Sequence, residues 1–184
     1  MKRLFWIVIL AVCAVLLIAP TTDFIQHETH PIKYEEYVTK YSKEFNVPKP
    51  LIYAIIKTES SFDPSAESEI GARGLMQITA IAHDWVNMRS GFDESFDDMY
   101  DAEANIKYGT FMLKLLLEQF KTESNALCAY HAGWGTAQKW LKNPDFSPDG
   151  ENIKEIPYPD TAWYVKTVLK SRETYYKLYF SKGE

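Results

Sequence analysis

Apolar and polar positions change rhythm several times along this chain. Leu4 through Ala19 is apolar without a break, preceded by Lys2 and Arg3 and followed by Pro20, Thr21, Thr22 and Asp23. A run with no polar face predicts a segment, residues 1–19, that acts as an export signal or membrane anchor. Residues 20–33 show no period and predict a linker. From Tyr34 the pattern is helical. Tyr34, Tyr37, Val38 and Tyr41 recur at the spacing of one helix face. Asn46-Val47-Pro48 interrupts it, and Pro48 suits the start of a second helix carrying Leu51, Ile52, Ile55, Ile56 and Glu59 on one side. Phe62-Asp63-Pro64 ends that helix, and residues 63–75 read as a loop. A short helix is predicted from Thr79 to Met88 and an acidic loop from Ser90 to Tyr100. Asp101 is placed to cap a long helix through Ile106, Leu113, Leu116, Leu117 and Phe120. Further helical stretches are expected at Ser124–His131 and Thr136–Leu141. The prolines between 142 and 159 predict a connection, and Asp160 or Thr161 a cap for a last helix running toward Phe180. No hairpin signal stands out. The reading is a mainly α chain: one helical domain over residues 34–181 behind an N-terminal anchor or signal helix.

The apolar run admits two fates. It is a cleaved signal peptide, or an anchor through residues 4–19 with Lys2 and Arg3 on the cytoplasmic side. Ile18-Ala19-Pro20 puts Pro after the suitable small residue, which disfavours cleavage and favours a domain held on the extracytoplasmic face. Leu10-Ala11-Val12-Cys13 loosely resembles a lipoprotein signal, but Val12 is large for the position before the Cys. The formal charge is −5, and Lys2 and Arg3 are among the cations, so the remainder is more acidic still. An acidic domain is a poor partner for nucleic acid. Of the two Cys, Cys13 lies in the apolar run, so Cys128 has no partner within the domain and the core must supply the stability. Twelve Tyr, ten Phe and five Trp are many for this length; a core accounts for most of them, and aromatic rings also suit sugar faces.

Among titratable residues Glu59 stands out by position. It follows Ile55 by four residues and Ile56 by three, so it leaves its helix on the apolar side, in the last turn. The negative end of the helix dipole and partial desolvation both favour its protonated form. A carboxyl held protonated near neutrality is what a general acid needs. An ordinary surface Glu at a frayed helix end is the plain alternative. The four His are scattered without metal-ligand spacing, the acidic stretch 93–103 lacks the Gly of a calcium loop, and no phosphate loop or dinucleotide fingerprint occurs.

The residues after Glu59 change that weighting. Glu59-Ser60 is followed by Ser68 and then by Gly71-Ala72-Arg73-Gly74-Leu75-Met76-Gln77-Ile78. Asn105-Ile106 and Gly109 lie in the long helix, Ala129-Tyr130-His131-Ala132-Gly133 comes later, and Ile156-Pro157-Tyr158 precedes Tyr164-Val165. In order and spacing these blocks resemble the soluble lytic transglycosylase family, lysozyme-like enzymes related to goose-type lysozyme, over roughly residues 34–180. The resemblance implies a lysozyme-like fold, no cofactor and no metal, and peptidoglycan glycan strands as substrate. It implies Glu59 as the single catalytic acid/base, with Ser68, Gln77, Tyr130, His131 and Tyr164 lining the cleft. Read from the residues alone, Gln77 and Ser68 are ordinary loop polars and Met76 is core filler; Tyr130, before a small-residue turn, can enter a cleft or be a core tyrosine with a satisfied hydroxyl, and Tyr164 can simply pack the last helix.

By the same resemblance, Glu59 protonates the oxygen between N-acetylmuramic acid and N-acetylglucosamine. It then accepts the proton of the muramoyl 6-hydroxyl, which closes on C1 as a 1,6-anhydro ring. A hydrolytic lysozyme of the same fold and a noncatalytic glycan-binding or secretion-assembly module remain as alternatives. Three departures from the family pattern matter. His131 stands where Asn is usual and brings a titratable ring. Trp134 stands where Pro is common. Asp160-Thr161-Ala162 replaces Glu-Thr-Arg, removing a basic contact.

Overall fold

The computed structural model describes residues 24–181. The expected anchor or signal segment, residues 1–19, lies outside them. No helix among the described residues is long and apolar enough to cross a membrane. The chain divides into two units, one ending at Ile32 and the other beginning at Lys33. In the first, residues 24–29 are helical where the sequence pattern predicts an aperiodic linker. The Thr29 hydroxyl there donates to Ile25 O at 2.8 Å.

The second unit is built from seven helices among the described residues: α1 (Glu35–Phe45), α2 (Lys49–Ser60), α3 (Ala80–Ser90), α4 (Ala102–Phe120), α5 (Glu123–Ala132), α6 (Trp134–Lys142) and α7 (Pro159–Tyr175). A 3-10 turn, Phe96–Tyr100, precedes α4, and a π-helical turn, Tyr176–Phe180, follows α7. α2 is the central helix. Pro50 through Ile56 is buried without interruption, more than the one-sided face its spacing predicts. A helix buried on all sides must be wrapped by neighbours, and α2 packs most extensively on α7. α4 packs against α1 and α5.

The caps follow side-chain chemistry. Asp101 accepts from Ala104 N at 2.9 Å and starts α4 as expected. Thr79 and Thr122 cap α3 and α5 in the same way. The last helix begins earlier than Asp160 or Thr161: Tyr158 is its N-cap and Pro159 its first residue. Proline is preset for that position, where its missing N–H goes unmissed. α6 likewise starts at Trp134 rather than Thr136. The acidic stretch is more than a solvated face. Ser95 and Asp98 form a reciprocal capping box, and Glu94 and Glu103 pair with Lys107 and Lys40.

Candidate active site

Three segments meet around the end of α2. Glu59 is the next-to-last residue of that helix, as its spacing predicts. Ser61 and Phe62 then take left-handed backbone conformations, with φ of 53° and 67°. Such φ values are uncommon for residues with a Cβ and turn the chain sharply. The Ser60 hydroxyl donates to Leu75 O at 2.9 Å and also lies 3.1 Å from Ile56 O. It thereby ties the helix end to the Gly-rich loop.

That loop, residues 66–78, is more ordered than the sequence predicts. Arg73 and Ile78 exchange both backbone hydrogen bonds at 3.0 Å, Gly74 N donates to Ala66 O at 2.8 Å, and Arg73 also bridges to Glu67. Buried Asn105, reaching out of α4, holds the loop from beneath. Its amide nitrogen donates to Arg73 O at 2.8 Å and Met99 O at 2.7 Å, and its oxygen accepts from Met76 N at 2.7 Å. Two glycines make the approach possible. A Cβ at Gly74 would lie 2.1 Å from Met99 O and 2.4 Å from Asn105 Nδ2, and Gly74 has a φ of 72°. A Cβ at Gly109 would lie 2.4 Å from Met76 Sδ. Met76 is fully buried and fills the core against α4.

The opposite side comes from α5 and α7. Tyr130, near the end of α5, donates to Met76 O at 2.8 Å. Tyr164, on α7, is 2% exposed, and its hydroxyl has no partner at hydrogen-bond geometry. That hydroxyl is directed at the Glu59 carboxyl, whose charge acts on both tyrosines. Desolvation pushes the Glu59 carboxyl up to about 7, against a smaller lowering by Tyr164. Burial and the neighbouring Glu59 hold both phenols well above their ordinary value, so they stay protonated donors. His131 packs against Tyr164 with ring centroids 4.5 Å apart and planes tilted by 33°, and its Nδ1 lies 3.0 Å from Thr161 Oγ1.

Glu59, Tyr130, Tyr164 and His131 are therefore brought together. Gln77 stands in the loop wall with a φ of 49°, its amide nitrogen donating to Ala66 O at 3.1 Å and Gly74 O at 3.0 Å. The hydroxyl of Ser68 accepts from Ala72 N at 3.0 Å inside its own turn. Trp134 is 44% exposed at the head of α6. Sequence reasoning misses Asn105 as the brace of the loop and Thr161 as the partner of His131. Full burial of an amide in the first turn of α4 is the structural sign of the first.

Carboxylates close to Glu59 in sequence lead elsewhere. Asp63 accepts from Ser65 N and Oγ, Glu67 faces Arg73, and Glu69 is exposed. A hollow of about 540 Å³ near α1 and α4 is lined by Lys40, Tyr41, Glu94, Asp98, Asp101 and Glu103 among others. Its charges are mostly paired with one another, and Glu59 does not border it.

The family model for the transglycosylase SLT domain matches residues 36–153. The soluble lytic murein transglycosylase of Salmonella typhimurium is 32% identical over 161 residues, covering 85% of this chain and 25% of that protein. A membrane-bound lytic murein transglycosylase C of Actinobacillus pleuropneumoniae is 30% identical over 171 residues, covering 80% of this chain and 47% of that one. The 70 kDa soluble lytic transglycosylase of Escherichia coli superposes with a TM-score of 0.74 at 31% identity, over 83% of this chain and 25% of that one. An inactive glutamate-to-glutamine mutant of a Pseudomonas aeruginosa lytic transglycosylase superposes at 0.71 with 26% identity, over 80% of this chain and 24% of that one. The chain thus spans about a quarter of the length of the soluble relatives and shares their mainly helical, lysozyme-like arrangement.

Proposed function

The chain belongs to the transglycosylase SLT family, and on that premise we propose that it is a peptidoglycan lytic transglycosylase with Glu59 as its one acid/base. Glu59 gives its proton to the glycosidic oxygen between N-acetylmuramic acid and N-acetylglucosamine as the bond from that oxygen to C1 breaks. The resulting carboxylate takes the proton of the muramoyl 6-hydroxyl while that oxygen bonds to C1. Glu59 ends as it began, and the products are a free 4-hydroxyl and a 1,6-anhydro ring. Ser68, Gln77, Tyr130, His131 and Tyr164 serve the cleft in this reading.

The observation that carries it is the electrostatic isolation of Glu59. Desolvation sets its pKa near 7, and no second carboxylate among the described residues acts on it. A retaining glycosidase needs a nucleophilic carboxylate about 5 Å from its acid. Asp63, Glu67 and Glu69 are engaged or exposed elsewhere, and it is the resemblance to the lytic transglycosylases that makes the 6-hydroxyl tethered to the reacting sugar, rather than water, the nucleophile of this proposal. Tethering raises its effective concentration, which for well-held groups reaches roughly 10⁵ M, far above that of water. The inactive glutamate-to-glutamine relative fits a chemistry in which a glutamate is indispensable. Digestion of purified sacculi should yield muropeptides with 1,6-anhydromuramic ends that resist borohydride reduction. Mainly reducible muramic ends in the mass spectrum would replace this reading with a hydrolase.

In the same proposal the apolar run at residues 4–19 holds the domain at the extracytoplasmic face of the membrane, within reach of the glycan strands. Fractionation of cells should find the full-length chain with the membranes. A soluble chain beginning near Thr21 would remove the anchor and leave export standing.

A further inference from the structure

We propose that Trp134 is a glycan platform, its indole stacking on a sugar ring of the bound strand away from the bond that is cut. The inference rests on the reading of the Glu59 site as a glycan cleft. Four tryptophans lie among the described residues, and they differ in what covers them. Trp140 is 5% exposed and meets Tyr158 edge-on with ring centroids 5.1 Å apart. The Arg89 guanidinium lies 4.3 Å over the Trp85 ring. Trp134, 44% exposed, and Trp163, 63% exposed, have no ring, cation or hydrogen-bond partner among the described residues. Tryptophan is large and apolar and its N–H wants an acceptor, so a bare indole beside a cleft points to a ligand.

Position separates the two bare rings. On α7, Thr161 and Tyr164 are buried, facing His131 and Glu59. Helical spacing sets Trp163 about 100° round from Tyr164 and about 160° from Thr161, away from both. Trp134 instead continues the cleft wall. From the buried Ala129 the chain climbs through the half-buried Tyr130 to the exposed His131, and Trp134 comes three residues later. Three residues span at most about 10 Å, so the indole stands within a few sugar rings of the Glu59 site. Gly133 keeps that distance short. Its φ of 90° and ψ of 145°, a conformation essentially confined to glycine, let α6 begin at Trp134 directly after α5. A Cβ at Gly133 or at Gly135 would meet nothing within 4 Å, so the indole is flanked along the chain by two bare positions in open space. β-1,4-linked sugars of the gluco configuration carry their ring substituents equatorially, which leaves C–H groups on both faces. The indole suits such a face, and its N–H can donate to a hydroxyl or acetamido oxygen at the ring edge.

A stack that touches neither Glu59 nor the reacting sugar holds ground state and transition state alike. Such uniform binding lowers KM and leaves kcat where it was. Soluble glycan strands freed of their peptides are the substrate for the test. Trp134→Ala and Trp134→Pro should raise KM about tenfold with kcat unchanged, and Trp134→Phe, which keeps an aromatic face, should stay within about threefold of wild type. The Pro variant guards against a folding defect. Trp134 is the first residue of α6, where proline is preset and its missing N–H goes unused. Trp163→Ala removes an equally bare ring on the outer face and should leave KM unchanged. A KM unmoved in both ringless variants, a kcat that falls as far as kcat/KM, or the same rise in Trp163→Ala overturns the proposal. Binding is also readable without turnover. In the full-length Glu59→Gln protein, the indole N–H signal that Trp134→Phe removes should shift saturably as the same strands are added. If the wild type cleaves no strand, the catalytic reading fails and this titration alone decides the platform; a Trp134 signal that does not move sinks it.

Discussion

The loop at residues 66–78 and the helical pair α5 and α7 flank the end of the same helix, but their polar groups are met in opposite ways. In the loop, Asn105 satisfies three backbone groups, Ser60 a fourth, and Arg73 and Ile78 bond each other. On the helical side, the buried Tyr164 hydroxyl meets only the Glu59 carboxyl, short of well-formed hydrogen-bond geometry, and His131 is held through one ring nitrogen. The backbone of the loop is over-determined, although Arg73 Nε there is itself buried without a hydrogen bond, and the helical side is left incomplete at the point nearest the carboxyl. A buried orphan hydroxyl costs about 1–3 kcal/mol, so it persists where another use opposes its removal. Damage to the loop should therefore appear first as lost stability, and damage to the Glu59 side first as altered chemistry.

Glu59→Gln tests the chemical half of that contrast and carries the largest expected effect. Glycan cleavage should fall by about 10²- to 10⁴-fold, the usual worth of a general acid. Stability should move the other way, with a definite sign. The carboxyl is raised from 4.5 in the ordinary state to about 7 in the fold. The folded chain therefore binds this proton more tightly than the unfolded one. Its contribution is fully present below pH 4.5 and is lost as pH rises to about 7. The loss is on the order of 3 kcal/mol. Wild type should lose melting temperature over that window, and Glu59→Gln should lose less and melt higher at pH 8. Thermal scans at pH 4, 6 and 8 check this. Equal pH dependence in the two proteins would mean that the carboxyl is not desolvated.

Asn105→Ala tests the structural half. It strands Met76 N, Arg73 O and Met99 O inside the protein. At about 1 kcal/mol or more for each orphan, the loss should be roughly 3 kcal/mol. For a domain of this size that lowers the melting temperature by about 6–12 °C. The alkaline midpoint of the pH profile should stay where it was, because Asn105 does not act on Glu59. Chemical denaturation and a pH–rate profile on one preparation separate the two effects. A midpoint that moves with little change in stability would erase the distinction between the two sides.

The sequence made the elements legible and the braces mostly illegible, for one physical reason. Caps such as Asp101 and the α2 pattern ending at Glu59 are local, decided within a few residues, and they stand where the spacing puts them. Where two local rules competed, the boundary slipped: Pro159 at the first helical position displaced the expected cap at Asp160 or Thr161. Asn105 meets Met76 across 29 residues and Tyr130 meets the same residue across 54, and no periodicity encodes such pairs. The blocks around Glu59, Gln77, Tyr130 and Tyr164 were recognised through family resemblance, which carries tertiary information that spacing does not. It reached His131 as a cleft residue but not the contact that holds the ring. The ring stands at a departure from the family pattern, and its partner Thr161 lies 30 residues away.

The smallest effect, and the finest test of the contrast, is expected from Tyr164→Phe. The substitution keeps the ring against which His131 packs and deletes only the hydroxyl. In an ordinary core such a deletion breaks a hydrogen bond and costs about 1 kcal/mol. Here the hydroxyl has no well-formed bond to lose, so stability should be unchanged or should rise by a few tenths to about 1 kcal/mol. Chemistry should respond in the other direction. The hydroxyl opposes desolvation and pulls the Glu59 pKa down, so its loss lets that pKa rise further above 7. A higher Glu59 pKa keeps the acid protonated to higher pH, and the alkaline limb of kcat/KM should shift upward. The rate below pH 7 should fall only a few-fold, because Glu59 is already protonated there and loses an orienting donor rather than its proton. An unchanged melting curve with a displaced alkaline limb would show that the hydroxyl is held for its effect on the carboxyl. A clear loss of stability with the limb in place would instead make Tyr164 a packing residue and bring the two sides under one rule.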